Sequence, residues 1–361
     1  MISVYFHIPF CTKKCPYCHF YVIPNRPAYQ TLLSASIALE WEQKRPLWKG
    51  KEITSVYFGG GTPSLFEKIG EILEKIPRDE DCEITIEANP EESSFELFSH
   101  FVNIGINRLS LGVQSFDDAS LDVLGRLHSA KKAEKAIEEA HRAGFKNISI
   151  DLMYDLPNQT EESWERTLYV LKDLPIQHLS LYNLTIEPHT SFYARRVKTP
   201  PGELSLKFLT RALETFQEIG LQRYEISAFA RAGFESRHNL GYWTGRPFLG
   251  FGPSAFSYWE GERFRNVANI HRYARHLKEG SSPVDFREKL CPSAHTNELL
   301  AIHLRVLSGV DIGAFVLPDE TKKAIETLSR EGFLVFNESK NRLQLTEKGM
   351  LYYDSVAVEL I

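Results

Sequence analysis

Along most of this chain, short runs rich in apolar, β-branched and aromatic residues alternate with stretches whose apolar residues recur at helical spacing. That alternation restricts the fold more than any other feature. Val4 to His7, Ile53 to Phe58, Glu83 to Ala88, Asn107 to Val113, Lys146 to Leu152, Gln177 to Leu184 and Arg223 to Ser227 read as strands. The segment after Pro27, with Leu32, Leu33, Ile37 and Trp41, reads as a helix that stops near Arg45-Pro46, since proline cannot continue it. Strands separated by helices imply a parallel sheet with right-handed crossovers. Such units close part-way into a barrel or form a doubly wound sheet, and periodicity does not separate the two. In both, ligands sit at the carboxyl ends of the strands.

Those ends carry unusual residues. The first strand runs into His7-Ile-Pro-Phe-Cys11-Thr-Lys-Lys-Cys15-Pro-Tyr-Cys18-His-Phe20. Three thiolates on one loop can hold three irons of a cubane and leave the fourth open to an exogenous ligand. Zinc in a Cys3His set completed by His7 or His19 is the other reading of the same residues. A disulfide is disfavoured by the odd clustered count, and Cys82 and Cys291 read as ordinary thiols. The second strand ends in Gly59-Gly-Gly61-Thr62-Pro63, with Thr62 suited to a helix N-cap and Pro63 to the first helical position. It is not a P-loop, having no Gly-Lys-Ser/Thr, nor a dinucleotide fingerprint, since Ser64 stands where the third glycine belongs. Glu87, Gln114 and Asp151 close later strands, and polar groups at strand ends facing one mouth can converge on one ligand.

The Cys-x3-Cys-x2-Cys spacing, with Tyr17 before the last cysteine, resembles the radical S-adenosylmethionine (SAM) superfamily. The surrounding Tyr5-Phe-His-Ile-Pro-Phe-Cys11 narrows the resemblance to the oxygen-independent coproporphyrinogen III oxidases and their relatives, the HemW haem chaperones. The resemblance implies a partial (β/α)6-type barrel, an α/β fold, with a [4Fe-4S] cluster on Cys11, Cys15 and Cys18 and SAM on its unique iron. Gly60, Gly61 and Thr62 match the glycine-rich segment that contacts the methionine amino group, and Tyr5, Glu87, Gln114, Arg126 and Asp151 match other SAM-contacting positions. A reduced cluster in this family cleaves SAM to methionine and a 5′-deoxyadenosyl radical. Two departures turn the reading from oxidative decarboxylation: Phe20 stands where the oxidases have a further cysteine, and their longer N-terminal extension is missing before Cys11. His238-Asn-Leu-Gly-Tyr242-Trp243 matches the His-Asn-x-x-Tyr-Trp motif of the haem chaperones. Haem is therefore the expected third cofactor, with His238 as candidate iron ligand, Tyr242 and Trp243 beside the ring, and haem-dependent proteins as recipients. The alternative is the oxidase activity itself.

From Pro283 the character shifts to helices over Glu298 to Leu307 and Glu320 to Arg330. Strands over Phe333 to Phe336 and Arg342 to Leu345 and a last helix from Thr346 follow, a winged-helix-like pattern. The expected organisation is a core at 1–230, a connecting region at 231–282 and the small C-terminal domain at 283–361. With 42 Lys+Arg against 47 Asp+Glu the net charge is -5, and the last segment is acidic too, so nucleic acid is not an expected partner. The first residues do not resemble a signal peptide and no long uninterrupted apolar run occurs. A cytoplasmic protein that touches membrane-bound acceptors only transiently is expected.

Overall fold

The alternating pattern buries both faces of the strands in different ways. In the computed structural model, which describes residues 1–337 and 341–361, Val4, Phe6 and Ile8 are wholly buried on one side of the first strand. Ser3, Tyr5 and His7 alternate with them and face the other side, as a period of two requires. Six strands lie parallel and in chain order: β1 (Ile2–Ile8), β2 (Ile53–Gly60), β3 (Glu83–Ala88), β4 (Arg108–Gln114), β5 (Ile148–Tyr154) and β6 (His178–Asn183). Helices cross between them, as the alternation requires. The helix Pro27–Gln43 ends three residues before Pro46, which instead sits in the first turn of a further short helix, Arg45–Trp48. Trp48 stacks on Trp41 with ring centres 4.4 Å apart, so the chain turns back on the helix it has just left.

Both edges continue the sheet to twelve strands. Beyond β6, β7 (Gln222–Glu225) and β8 (Ala228–Ala230) add antiparallel strands. On the other side β9 (Phe248–Phe251) pairs parallel with β1, and β10 (Phe256–Trp259), β11 (Glu262–Asn266) and β12 (Val284–Lys289) continue as an antiparallel meander. These strands straddle the sequence-based boundary at 282. They are short, with Gly250 inside the first and Gly252 and Pro253 directly after it, and no strand was expected among them. A buried knot locks them: the fully buried Glu40 carboxylate pairs with Lys44 at 2.6 Å and accepts from Asn266 Nδ2 at 2.7 Å and the Gly252 amide at 2.9 Å.

The C-terminal segment has its own apolar core, in which Leu300, Leu304, Leu328, Leu334 and Val356 meet. Its helices are Pro292–His303, Asp319–Arg330, Glu347–Leu351 and Tyr353–Leu360, with a hairpin of Leu334–Asn337 and Arg342–Leu345. The first begins at Pro292 rather than Glu298, because proline suits the first helical position. Arg305 fastens this segment to the sheet. Its guanidinium meets Glu225 at 3.2 Å and lies 4.3 Å from the Trp243 ring centre and 5.0 Å from that of Tyr353. No helix among the described residues is long and apolar enough to cross a membrane.

Candidate functional site

The glycines after β2 exist to let the cysteine loop approach. A Cβ on Gly61 would lie 2.6 Å from the Phe10 carbonyl oxygen, and one on Gly60, whose φ is +116°, would strike the His7 ring. With that space open, the Gly61 amide donates to Ile8 O at 2.9 Å and the Thr62 amide to Phe10 O at 2.6 Å. Thr62 precedes the turn Pro63–Leu65 as expected, but its hydroxyl makes no cap bond. It is drawn to the loop instead, 3.7 Å from Cys11 Sγ, and accepts from Asn89 Nδ2 at 2.8 Å.

Cys11, Cys15 and Cys18 line one cavity of about 460 Å³ at the carboxyl ends of the parallel strands. Among the described residues no three His, Cys, Asp or Glu side chains draw together as one ion would require. His7 is withdrawn from any such set, its ring nitrogens engaged by the Tyr5 hydroxyl at 3.1 Å and Tyr21 O at 3.0 Å. In the free protein burial pushes the Cys11 thiol up to about 11 and raises Cys18 as well, so a metal's charge is needed to make thiolates of them.

The same cavity gathers Tyr17, Gly60, Gly61, Thr62, Glu87, Gln114, Arg126 and Asp151, so residues far apart in sequence share one mouth. Arg126 donates to Asn89 Oδ1 at 2.6 Å and Gly112 O at 2.8 Å, with its other amino group 3.5 Å from Cys15 Sγ. Burial opposes its charge, but Tyr17, Cys15 and Glu91 around it raise its pKa. Gln114 reaches the cavity from a left-handed backbone, φ +71°. Glu87 accepts from the Tyr57 hydroxyl at 2.8 Å and the Gly60 amide at 3.1 Å. Burial holds its carboxyl up at about 7 despite these donors, and holds Asp151 up at about 6 against the Ser180 hydroxyl and the Arg108 charge. Two carboxyls poised near neutrality respond to a cationic guest by ionising.

The remaining candidates lie elsewhere. Tyr5 is below the cavity rather than on its wall, its ring 6.2 Å from Tyr57. His238 opens the short helix Arg237–Trp243, capped by Ser236, and is 1% exposed. Its Nδ1 meets Ser55 Oγ at 3.0 Å and its Nε2 meets the Tyr242 hydroxyl at 2.8 Å, while its amide donates to Glu83 Oε1 at 2.9 Å. Ser55 and Glu83 stand at the amino ends of β2 and β3. This helix therefore plugs the opposite end of the sheet from the cysteines, with Trp243 under Arg305. Neither His238, Tyr242 nor Trp243 lines the cavity.

Asn89 was not singled out by sequence, although it bridges Thr62 and Arg126. The signal was its place two residues after Glu87 at a strand end. The pair Glu91 and His128, 2.8 Å apart, steadies the same wall and left no sequence signal.

The description "Radical SAM superfamily" matches residues 5–170 of the chain. The haem chaperone HemW of Bacillus subtilis (strain 168) is 33% identical over 377 residues, spanning 99% of this chain and 98% of that protein. The haem chaperone HemW of Escherichia coli (strain K12) is 30% identical over 383 residues, spanning 98% and 97%. Among solved structures, coproporphyrinogen III oxidase (HemN) from Escherichia coli, described as a radical SAM enzyme, superposes with a TM-score of 0.87. It shares 24% identity, with 99% of this chain and 89% of that one covered. That likeness is one of fold and bears out the partial barrel that the family resemblance implied, a choice the alternation of strands and helices left open. The full-length similarity carries more: this chain belongs to the HemW family within the radical SAM superfamily.

Proposed function

We propose that this chain binds haem and passes it to haem-dependent proteins, on a scaffold that holds a [4Fe-4S] cluster and SAM. The observation that carries the reading is near-full-length similarity to proteins named haem chaperones. Phe20 in place of the oxidases' further cysteine agrees with it.

Cys11, Cys15 and Cys18 would hold the cluster; Gly60, Gly61, Thr62, Glu87, Gln114, Arg126 and Asp151 would hold SAM in the cavity they share. Held there, the cluster and SAM would supply one-electron chemistry at the sulfonium. The protein's own groups then have definite work. Arg126, fixed by Asn89 and the Gly112 carbonyl, offsets thiolate charge at Cys15 and presents a cation to a carboxylate. Glu87 and Asp151 give up their protons as a cationic group enters and then hold it by charge. Acceptors would be haem-dependent proteins in the cytoplasm or at a membrane surface.

The test is a titration of the anaerobic, cluster-reconstituted protein with haemin, read by absorbance, beside incubation with SAM and coproporphyrinogen. Saturable haem binding with no protoporphyrinogen formed is expected. Turnover of coproporphyrinogen without haem binding would reverse the reading.

A further inference from the structure

The mouth of the cysteine cavity carries a second set of residues that neither a cluster nor SAM accounts for. Phe20, Leu127 and Tyr182 all line it and are 54%, 50% and 45% exposed; the Tyr182 hydroxyl turns inward to Ser180, and its ring with the other two side chains offers apolar surface around one opening. Lys13 and Lys14 stand beside them on the loop with no carboxylate partner among the described residues; Lys14 donates only to the Phe20 carbonyl, at 3.2 Å. His19 is the one histidine on the cavity wall. Its ring rests against Phe20, centres 4.6 Å apart, and neither nitrogen has a hydrogen-bond partner among the described residues. His238 is the opposite case, with both nitrogens taken and no open space beside it.

Resting on the haem-carrier reading above, we propose that haem lies across this mouth. The ring covers Phe20, Leu127 and Tyr182, its two carboxylates meet Lys13 and Lys14, and the His19 imidazole ligates the iron. Each part of the ligand finds its complement: a flat apolar face for aromatic and aliphatic side chains, anions for unpaired ammonium groups, and an iron for a free nitrogen. Of the cavity's carboxylates, Glu87 and Asp151 belong to the inner site, Glu91 pairs with His128 at 2.8 Å and Glu92 accepts from the Thr12 hydroxyl at 2.7 Å, which leaves Glu187 on the outer wall. Haem in this position closes the cavity over whatever occupies it, so the carried group and the cluster are neighbours. The helix carrying His238 is then a structural plug, and the histidine motif acts on haem only through the barrel it steadies.

The experiment compares wild-type, His19→Ala and His238→Gln proteins, all with the cluster reconstituted so that free thiols do not bind iron porphyrin. Each is titrated with haemin and with metal-free protoporphyrin. His19→Ala is expected to shift the Soret band and weaken haemin binding at least about tenfold, the effect of losing about 1.4 kcal/mol. Its affinity for metal-free protoporphyrin stays within about twofold of wild type, a difference of about 0.4 kcal/mol, because that ring has no iron for the imidazole to ligate. His238→Gln leaves the Soret position unchanged. A spectrum that follows His238 and ignores His19 overturns the mouth site while the carrier reading stands, whereas absence of saturable haemin binding in wild type removes both. Should His19→Ala fail to hold its cluster, the double variant Lys13→Ala, Lys14→Ala decides, and unchanged affinity for both porphyrins overturns the proposal.

Discussion

The two ends of the same parallel strands are built from similar polar residues put to opposite uses. At the carboxyl end Glu87, Asp151, Gln114 and Arg126 surround an open cavity beside three thiols. At the amino end Ser55, Glu83 and His238 are closed around the helix Arg237–Trp243 and satisfied by one another. One end is arranged for a guest and the other is already filled by the chain. Residue type does not distinguish the two; whether the hydrogen-bond partners come from the protein does.

The comparison is broken most completely at the cavity end by replacing Cys11, Cys15 and Cys18 together with Ser. Iron and sulfide bound after anaerobic reconstitution should fall to background while the fold, followed by circular dichroism, is kept. Full cluster content in that variant would sink the assignment of these residues. At the plug end His238→Ala is expected to destabilise the protein by about 2–4 kcal/mol, since it empties a buried site and leaves the Tyr242 hydroxyl unpaired, while Ser55 keeps its bond to Ser3. Denaturant unfolding measures this, and a change below about 0.5 kcal/mol would show that the plug does not support the barrel.

The strands were legible because their apolar faces alternate or run on without interruption. β3 lies where its sequence places it, and β4 and β5 are displaced by one or two residues. The cavity was legible as well, since strand ends, glycines and clustered cysteines all point to one side of a parallel sheet. The place of His238 was not, because a sequence shows an imidazole beside two aromatics but not Ser55 and Glu83, which reach it from more than a hundred residues away. The meander over 248–289 was hidden by its glycines, and the Thr62 hydroxyl by a cysteine that outcompetes the helix cap.

The two ends also titrate in opposite directions, which sharpens the contrast. Glu87 is raised from about 4.5 to about 7 by burial, so its contribution to stability is present below about 4.5 and is lost as pH rises toward 7. His238 is lowered from 6.5 to about 3 by burial, with the Arg246 and Arg108 charges adding to it. Its contribution is present above about 6.5 and is lost as pH falls toward 3. In cofactor-free protein each change is worth up to about 1.4 kcal/mol per pH unit inside its window. Glu87→Gln should flatten the decline between about pH 4.5 and 7, and His238→Gln the decline below about pH 6.5. Unfolding curves at several pH values check both, and variants with unaltered slopes would remove these groups from the balance. The smallest effect is expected at the joint to the C-terminal segment. Arg305→Ala should cost about 1 kcal/mol, by loss of a partly buried ion pair and its stacking on Trp243, and should speed hydrogen exchange in Tyr353–Leu360. Exchange unchanged there would mean that the apolar core alone fixes the segment.

The close seat of the cysteine loop on Gly60 and Gly61 also bears on how the protein matures. Backbone bonds from Gly61 and Thr62 hold the loop against the sheet, and the Thr62 hydroxyl meets the Cys11 thiol. In small metal-folded domains the ion must order its own ligands, so removing it unfolds the chain. Here hydrogen bonds of the protein's own backbone order the loop. A cluster on these cysteines, as proposed, would then load into a standing receptacle, and a chain stripped of iron is expected to keep its circular dichroism and to take up iron again.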